Sequence, residues 1–299
     1  MMKAEKMATR NTARVLRRSV LGIGVLALLA VGGGLFAKSF ARPLSKPVSK
    51  LLSNNDAQPS SRPSSQNDAS RVHNIVLVHG AWADGSGWRG VYDILAKDGY
   101  NVTMVQEPET TFADDVAATR RILALQDGPT ILVAHSYGGA VITEAGTAPN
   151  VVGLVYIAAH MPDTGENESA DGKKFPSDLA KSTAIKKTPD GFTYLDPAQF
   201  HEFFAADLPD ADAAFLARAQ VLNFGANFAG VITDAAWRKK PSWMAVAAKD
   251  RTINPDLERW YAARANSHKV EIAGASHCVY ISHPKEVAAL IEDAATHAR

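Results

Sequence analysis

The sequence predicts an α/β fold, with a mainly parallel sheet of about six strands and helices on both faces. Two observations lead to this prediction. Short, continuous apolar segments alternate with segments of helical spacing, and several apolar segments end in loops rich in reactive side chains. Strands buried on both faces are continuous apolar runs, and parallel neighbours are joined by helical crossovers. Ligands then bind at the carboxyl ends of the strands, so those loops should hold the functional residues.

The alternation extends from residue 74 to residue 295. Apolar runs predict strands at Asn74–Val78, Asn101–Val105, Thr130–Ala134, Val151–Ala158, Trp243–Ala247 and Lys269–Ile272. Helical spacing and end signals predict helices at Trp88–Lys97, at Phe112–Leu125, up to about Ala145, at Pro255–Ala265 and at Pro284–Ala295. Residues 161–240 interrupt the pattern, and we expect them to form a cap inserted into the domain.

Residues 1–41 have the composition of a targeting segment. Basic residues precede an apolar, uncharged run at Val20–Ala37, and Ser39-Phe40-Ala41 offers small residues where a signal peptidase cleaves. Arg17-Arg18 is similar to the start of a twin-arginine signal. We therefore expect an exported protein, periplasmic or secreted, with a membrane anchor through residues 20–37 as the alternative. Residues 42–70 are rich in Ser, Pro, Asn and Gln, which favours a disordered linker before a folded domain at 71–299.

Charge and cysteine content exclude several function classes. The chain carries 32 basic and 31 acidic residues, of which seven and one lie in residues 1–41, so residues 42–299 have a net charge of −5. The basic bias belongs to the targeting segment, and we expect no nucleic-acid partner. Cys278 is the single cysteine, which excludes an internal disulfide. The histidines lack metal-ligand spacing, so we expect no metal.

The most informative segment is Ala134-His135-Ser136-Tyr137-Gly138-Gly139, directly after an apolar run. Small residues two positions before and after a serine, between a strand and a helix, predict a sharp turn that exposes the hydroxyl. Ser136 is therefore the candidate nucleophile. The alternative interpretation is a serine that merely caps the following helix.

A serine nucleophile requires a base and an acid that orients the base. His277 follows the last predicted strand and is the candidate base, and Asp250 follows the preceding strand and is the candidate acid. The order Ser, Asp, His is the order found when a strand–turn–helix presents the serine. Asp163, just after the Val151–Ala158 strand, is an alternative acid.

Two backbone N–H groups are the candidate donors of an oxyanion hole. One belongs to Tyr137, the residue after the serine, and the other to Ala81 in the loop His79-Gly80-Ala81-Trp82. Trp82, Tyr137 and His160 are the candidate side chains of the substrate pocket. The aromatic residues of the cap are expected to make that pocket apolar.

These residues resemble the α/β-hydrolase superfamily over essentially all of residues 71–299. The His79-Gly80-Ala81-Trp82 opening is similar to the esterase and hydroxynitrile-lyase branch, which includes plant methyl-ester hydrolases. The resemblance implies a serine hydrolase with no cofactor and a Ser136, Asp250 and His277 triad. The expected reaction is cleavage of a small carboxylic ester, with apolar or aromatic groups, through an acyl-enzyme on Ser136.

Two other functions follow from the same resemblance. The lyases of this branch carry a functional lysine near the acid, and Lys249 does not align with that role, which leaves C–C cleavage as an alternative. A non-catalytic small-ligand receptor on the same fold is the other. In each case the expected partner is a small molecule, and a membrane would be contacted only through an uncleaved N-terminal segment.

Overall fold

A six-stranded parallel sheet forms the centre of this computed structural model, which describes residues 72–298. The targeting segment and linker predicted for residues 1–70 lie outside the described residues. Six of the described strands form this sheet in the spatial order β2-β1-β3-β4-β8-β9, which confirms the predicted α/β fold. The strands are β1 (Asn74–Val78), β2 (Asn101–Met104), β3 (Thr130–Ser136), β4 (Val151–Ala159), β5 (Ile185–Lys187), β6 (Phe192–Leu195), β7 (Asn223–Phe224), β8 (Ser242–Ala247) and β9 (His268–Ile272).

The helices begin and end where their sequences provide caps. In α2 the side chain of Thr111 accepts from the amide of Asp114, and in α8 Pro255 occupies the first turn while Asn266 ends the helix at φ 51°. The α-helices of the described residues are α1 (Arg89–Lys97), α2 (Phe112–Leu123), α3 (Gly138–Ala145), α4 (Glu168–Lys174), α5 (Asp178–Lys181), α6 (Pro197–Phe204), α7 (Asp210–Leu216), α8 (Pro255–Ala265), α9 (Val279–Ser282) and α10 (Pro284–His297).

The core consists of two apolar clusters, one on each face of the main sheet. Leu132 and Ala134 of β3 belong to the first cluster, together with buried residues of α2, α3 and α8. Ile131 and Val133 of the same strand belong to the second, with residues of α1 and α10. Burial of such an aliphatic side chain contributes about 1.5 to 3 kcal/mol, so the helices on both faces hold the strand ends in fixed positions.

The chain between β4 and β8 corresponds to the expected cap. It contains α4 to α7 and a small antiparallel sheet in the order β5-β6-β7. Phe200, Phe204 and Trp237 of this segment are buried and belong to the first apolar cluster, so the cap shares its core with one face of the main sheet. No helix within residues 72–298 combines the length and the apolar composition needed to span a membrane.

Candidate active site

Ser136 lies at the turn between β3 and α3, in a backbone conformation that non-glycine residues rarely adopt. Its φ is 55°, in the left-handed region, which costs a side-chain-bearing residue about 1 to 3 kcal/mol. The loop after β1 lies directly against it, because a Cβ placed on Gly80 would come within 2.6 Å of the Ser136 Cβ. Glycine at position 80 therefore permits the close approach of the two loops.

The structure brings the three predicted triad residues together. His277 Nε2 lies 2.9 Å from Ser136 Oγ, and His277 Nδ1 lies 2.6 Å from Asp250 Oδ2. All three side chains are buried. The other carboxylate oxygen of Asp250 accepts from the amides of Thr252, at 2.7 Å, and Ile253, at 2.9 Å. Two backbone donors stabilise the charged form of this carboxyl, which can in turn orient the imidazole.

Asp163, the alternative acid, has a different partner. Its carboxylate forms an ion pair with Arg238 and accepts from the amide of Thr164. The guanidinium lowers the pKa of Asp163 below its ordinary value, against the opposing effect of burial. The geometry therefore supports Asp250 as the neighbour of the base.

His135 contacts both the backbone and the ring of His277. Burial lowers the pKa of His135 well below its ordinary value, so the ring is neutral. Its Nε2 donates to the backbone oxygen of His277 at 2.9 Å, and the two rings pack with their centroids 4.5 Å apart. Phe204 of α6 packs against the other side, with its centroid 4.8 Å from that of His277. The base is thus positioned by the sheet and by the cap.

Glu258 of α8 is a further acid next to Asp250. It is fully buried, and Oε2 accepts from the amide of Ala247 at 3.1 Å. Burial, and then the charge of Asp250, raise the pKa of Glu258 well above its ordinary value. Glu258 Oε1 is buried and accepts no hydrogen bond within residues 72–298. When Glu258 is protonated, its carboxylic acid can donate to Asp250.

Two buried carboxyl groups join the loops that carry the candidate oxyanion donors. Glu109 Oε2 accepts from the amide of Trp82 at 3.4 Å, next to Ala81. Asp115 Oδ2 accepts from the hydroxyl of Tyr137 at 2.7 Å, and its Oδ1 accepts from the amide of Glu109 at 2.8 Å. The connection therefore extends from one donor loop to the other through two carboxyl side chains and the backbone amide of Glu109, and it fixes the relative positions of the loops.

The side chain of Tyr137 differs from its predicted role. It is 1% exposed and points into the carboxyl cluster rather than lining the pocket, because its hydroxyl needs a buried acceptor and Asp115 provides one. Burial raises the pKa of Asp115 to about 6 and that of Glu109 well above its ordinary value. The backbone amide of Tyr137 remains available at the first turn of α3.

A cavity of about 510 Å³ opens beside Ser136, between the strand ends and the cap. The predicted pocket residues Trp82 and His160 both line it, together with Ala81. The indole nitrogen of Trp82 donates to Thr193 at 3.1 Å, which leaves the apolar face of the ring as wall. The cavity has a mainly apolar surface that is also formed by Phe175, Pro176, Leu179, Ala180, Ile185, Phe228, Ile253 and Leu257.

The sequence model of the alpha/beta hydrolase family matches residues 75–290. The chain belongs to this family. An α/β hydrolase named carbendazim hydrolyzing esterase, from Nocardioides sp., is 35% identical over 108 residues, 31% of this chain and 45% of that esterase. The match thus spans less than half of that relative. A protein of Arabidopsis thaliana, named among the methylesterases, is 26% identical over 242 residues, 72% of this chain and 93% of its own length.

Solved structures of α/β hydrolases share the fold. A pyrethroid hydrolase from Sphingobium faniae JZ-2 superposes with a TM-score of 0.63 at 22% identity, covering 76% of this chain and 98% of its own. Polyneuridine aldehyde esterase gives a TM-score of 0.64 at 19% identity, covering 75% and 99%. The predicted superfamily and its esterase branch are confirmed, and at family level this α/β hydrolase is a hydrolase with esterase relatives.

Sequence reasoning missed four buried carboxyl groups around the site of this α/β hydrolase, namely Glu109, Asp115, Glu168 and Glu258. One signal was available for Glu258, which lies between Leu257 and Tyr261 on the buried side of α8. An acid on the apolar side of a helix needs a specific partner. For the others the partner is brought close only by the fold.

Proposed function

We propose that this α/β hydrolase is a serine esterase that cleaves small carboxylic esters with apolar or aromatic groups through an acyl-enzyme on Ser136. The observation that carries the proposal is the hydrogen-bonded series Asp250, His277, Ser136, with contacts of 2.6 and 2.9 Å, at the wall of the cavity. The esterase names among its relatives support the same reaction class.

Acylation begins when His277 Nε2 takes the proton of Ser136 as Oγ attacks the ester carbonyl carbon. The carbonyl π electrons move to the oxygen, and the amides of Ala81 and Tyr137 stabilise the resulting oxyanion. The oxyanion then re-forms the carbonyl and the bond to the alcohol oxygen breaks. His277 gives its proton to the departing alcohol, which leaves the acyl group on Ser136.

Deacylation repeats these steps with water. His277 takes a proton from water as its oxygen attacks the acyl carbon, and the bond to Ser136 Oγ breaks when the second tetrahedral intermediate collapses. The proton returns to Ser136, and the carboxylic acid leaves. Asp250 keeps its negative charge throughout, because two backbone amides hold it, and so stabilises the imidazolium in both halves.

The substrate class follows from the volume and surface of the cavity. A space of about 510 Å³ lies within the range of small-molecule sites, roughly 300 to 1,000 Å³. Its aliphatic and aromatic walls favour apolar acyl or alcohol groups. Lys249, weighed above for a lyase role, is not among the residues that line this cavity, which supports ester hydrolysis over C–C cleavage.

Substitution Ser136→Ala tests the proposal. With p-nitrophenyl butyrate as substrate, kcat/KM should fall by about 10³-fold or more, because the residual rate depends only on binding and the oxyanion donors. Circular dichroism should show an unchanged fold. Ser169→Ala, which removes another cavity-lining hydroxyl, is the matched control and should keep its activity within about threefold.

Burst kinetics distinguish the alternatives. A fast release of p-nitrophenol equal to the enzyme concentration, followed by a steady rate, is expected for an acyl-enzyme. Full activity of Ser136→Ala would refute the esterase mechanism. Binding of esters without turnover by the unmodified protein would favour the receptor, and cleavage of mandelonitrile faster than any ester would favour the lyase.

For residues 1–41 we propose export followed by cleavage near Ala41. Mass spectrometry of the protein recovered from the periplasm or medium should then give the mass of a chain that begins near residue 42. Recovery of the intact chain in the membrane fraction would favour the anchor instead.

A further inference from the structure

An imidazole–carboxyl pair other than His277 and Asp250 lines the cavity beside Ser136, and the proposed mechanism does not use it. His160 follows β4 and Glu168 begins α4 of the cap, with His160 Nε2 3.2 Å from Glu168 Oε1. The two side chains are only 8% and 13% exposed, and both residues line the cavity with Ser136. Two buried ionisable groups at a binding cavity require a physical reason.

The proton of this pair is located by the groups around it. The Tyr261 hydroxyl donates to Asp171 Oδ2 at 3.0 Å, so its oxygen can only accept from His160 Nδ1, 3.5 Å away. Burial disfavours a second proton on the ring, so the imidazole, with its proton on Nδ1, presents a lone pair at Nε2. A carboxylate oxygen 3.2 Å from that lone pair would be repelled, and burial also raises the pKa of Glu168, so the contact favours Glu168 as a neutral acid with its proton on Oε1.

Burial acts in the same direction on both members of the pair. It lowers the pKa of His160 to about 3 and raises the pKa of Glu168 to about 8. A positive charge on the nearby His277 would lower the pKa of His160 further, and two neighbouring acids, Asp171 of α4 and Glu166 just before that helix, each form an ion pair with Lys174. At neutral pH neither member of the pair is charged.

The second oxygen of Glu168 is an unused acceptor. Oε2 is buried and has no hydrogen-bond partner within residues 72–298. In a neutral acid that donates through Oε1, Oε2 is the carbonyl oxygen and can only accept. Buried acceptors are almost always paired in native proteins, so a ligand group is the expected partner.

Three other polar side chains at the cavity already have partners. Ser177 accepts from the amide of Ala180, Asn254 accepts from the amide of Asp256, and Thr252 donates to the backbone of Phe203. Glu168 is the one carboxylic acid among the described residues that line the cavity, and the hydroxyl of its neighbour Ser169 is the competing polar group that substitution has to exclude.

We propose that Glu168, held by His160, is a specificity-determining residue that accepts a hydrogen bond from a hydroxyl or N–H group of the substrate. The preferred substrates are then apolar esters that carry one uncharged hydrogen-bond donor. This inference rests on the proposed esterase function for its chemistry, but the recognition itself requires only binding. A neutral acceptor pairs with an uncharged donor and offers no counter-charge to an ammonium group.

A matched series of methyl esters tests the recognition in the full chain. Methyl phenylacetate, its three ring-hydroxylated isomers and the corresponding methoxy esters differ in the presence and position of a donor. At least one hydroxyl isomer should exceed both methyl phenylacetate and its own methoxy counterpart in kcat/KM by about tenfold or more. The unsubstituted ester and the methoxy ester have no donor at that position and leave Glu168 Oε2 unpaired. Rates within threefold across the series would overturn the inference.

Two substitutions of Glu168 separate the acceptor from mere packing. In Glu168→Gln the amide N–H can donate to His160 while the amide oxygen accepts, so the hydroxyl preference should persist. In Glu168→Leu the ratio of hydroxyl to unsubstituted ester should fall to about one. Ser169→Ala, on the same turn of α4, should keep the ratio. A Leu variant that kept the preference would contradict the assignment.

Binding to the Ser136→Ala protein distinguishes failure of this inference from failure of the esterase proposal. Dissociation constants of the same esters, measured by calorimetry, should show the hydroxyl preference, and adding Glu168→Leu should abolish it. If the unmodified protein turns over no ester but this preference holds, only the esterase proposal fails. If turnover occurs and neither turnover nor binding discriminates, only the recognition by Glu168 fails.

Discussion

Two imidazole–carboxyl pairs lie at one cavity: His160 and Glu168 form part of its wall, and His277 and Asp250 are connected to it through Ser136. The two pairs differ in the number of hydrogen-bond donors to the carboxyl group. Asp250 accepts from two backbone amides as well as contacting His277 at 2.6 Å. Glu168 contacts His160 at 3.2 Å and receives no hydrogen bond at its other oxygen within residues 72–298. Donors aimed at a carboxylate stabilise its charge, and burial without donors removes it. By our proposals, the same two functional groups thus serve proton transfer in one place and neutral recognition in the other.

The two pairs also differ in the elements that carry them. Asp250 and His277 lie in loops after β8 and β9, anchored by a sheet with helices on both faces. Glu168 belongs to a seven-residue helix of the cap. The proposed proton transfer requires fixed distances, and its residues are anchored to the sheet. The proposed substrate contact of Glu168 lies in the cap, where the sequence can vary without disturbing the sheet.

The largest difference in kcat is expected when the carboxylic acid of each pair is replaced by its amide. Asp250→Asn removes the charge that holds His277 and should lower kcat for p-nitrophenyl butyrate by about 10³- to 10⁴-fold. Glu168→Gln replaces a carboxyl that is already neutral and should cost at most about tenfold. Steady-state kinetics of the two variants at neutral pH measure the contrast. Equal losses would show that the two carboxyls do not differ in charge.

A smaller loss is expected where the oxyanion loops are joined. Tyr137→Phe removes the hydrogen bond to Asp115 that links the two donor loops, and kcat should fall about tenfold with little change in KM. Tyr156→Phe is the matched control, because it deletes a buried hydroxyl that is paired with Thr143 on the same side of the sheet. The control should lose stability but keep its kcat, and a similar loss of kcat in both variants would argue against a role for the link.

Glu258 should tolerate an amide but not an apolar side chain. In Glu258→Gln the amide can still accept from Ala247 and donate to Asp250, so kcat should stay within about twofold of the unmodified enzyme. Glu258→Leu leaves the Ala247 amide and Asp250 without that partner, and kcat should fall about tenfold. If both variants lost activity equally, shape rather than hydrogen bonding would explain the position.

The smallest effect concerns stability against pH. The pKa of Asp115 rises from an ordinary 3.8 to about 6 on folding, so the folded state binds this proton more tightly than the unfolded state. The stability that Asp115 contributes is therefore fully present below about pH 4 and is lost by about pH 6. Asp115→Asn should gain about 1 to 2 kcal/mol of unfolding free energy, relative to the unmodified protein, between pH 4 and pH 7. Urea titrations at both pH values test this, with the exposed Asp93→Asn as a control that should show no such gain.

Much of the fold and of the candidate triad could be predicted because the decisive signals are local. Apolar runs mark the strands, and the small residues around Ser136 mark the turn. The choice between Asp163 and Asp250 was not local. Both follow strands, and only the folded structure shows that Asp250 contacts His277 while Asp163 is paired with Arg238.

The buried acids were beyond sequence reasoning because their environments depend on distant segments. Asp115 meets Tyr137 across 22 residues, and Glu109 meets Trp82 across 27. The direction of the Tyr137 side chain depends on the same contact, which is why its prediction as a pocket wall failed. Glu168 lies in a segment without strong periodicity, where neither its burial nor its neighbour could be anticipated.

The backbone oxygen of Phe204 accepts from the amide of Cys278 at 3.1 Å, and the Phe204 ring packs on His277, the residue before Cys278. Helix α6 is thereby joined to the peptide that carries the candidate base. Any displacement of α6 would also move the imidazole, so the position of the cap and the geometry of the proposed triad are coupled.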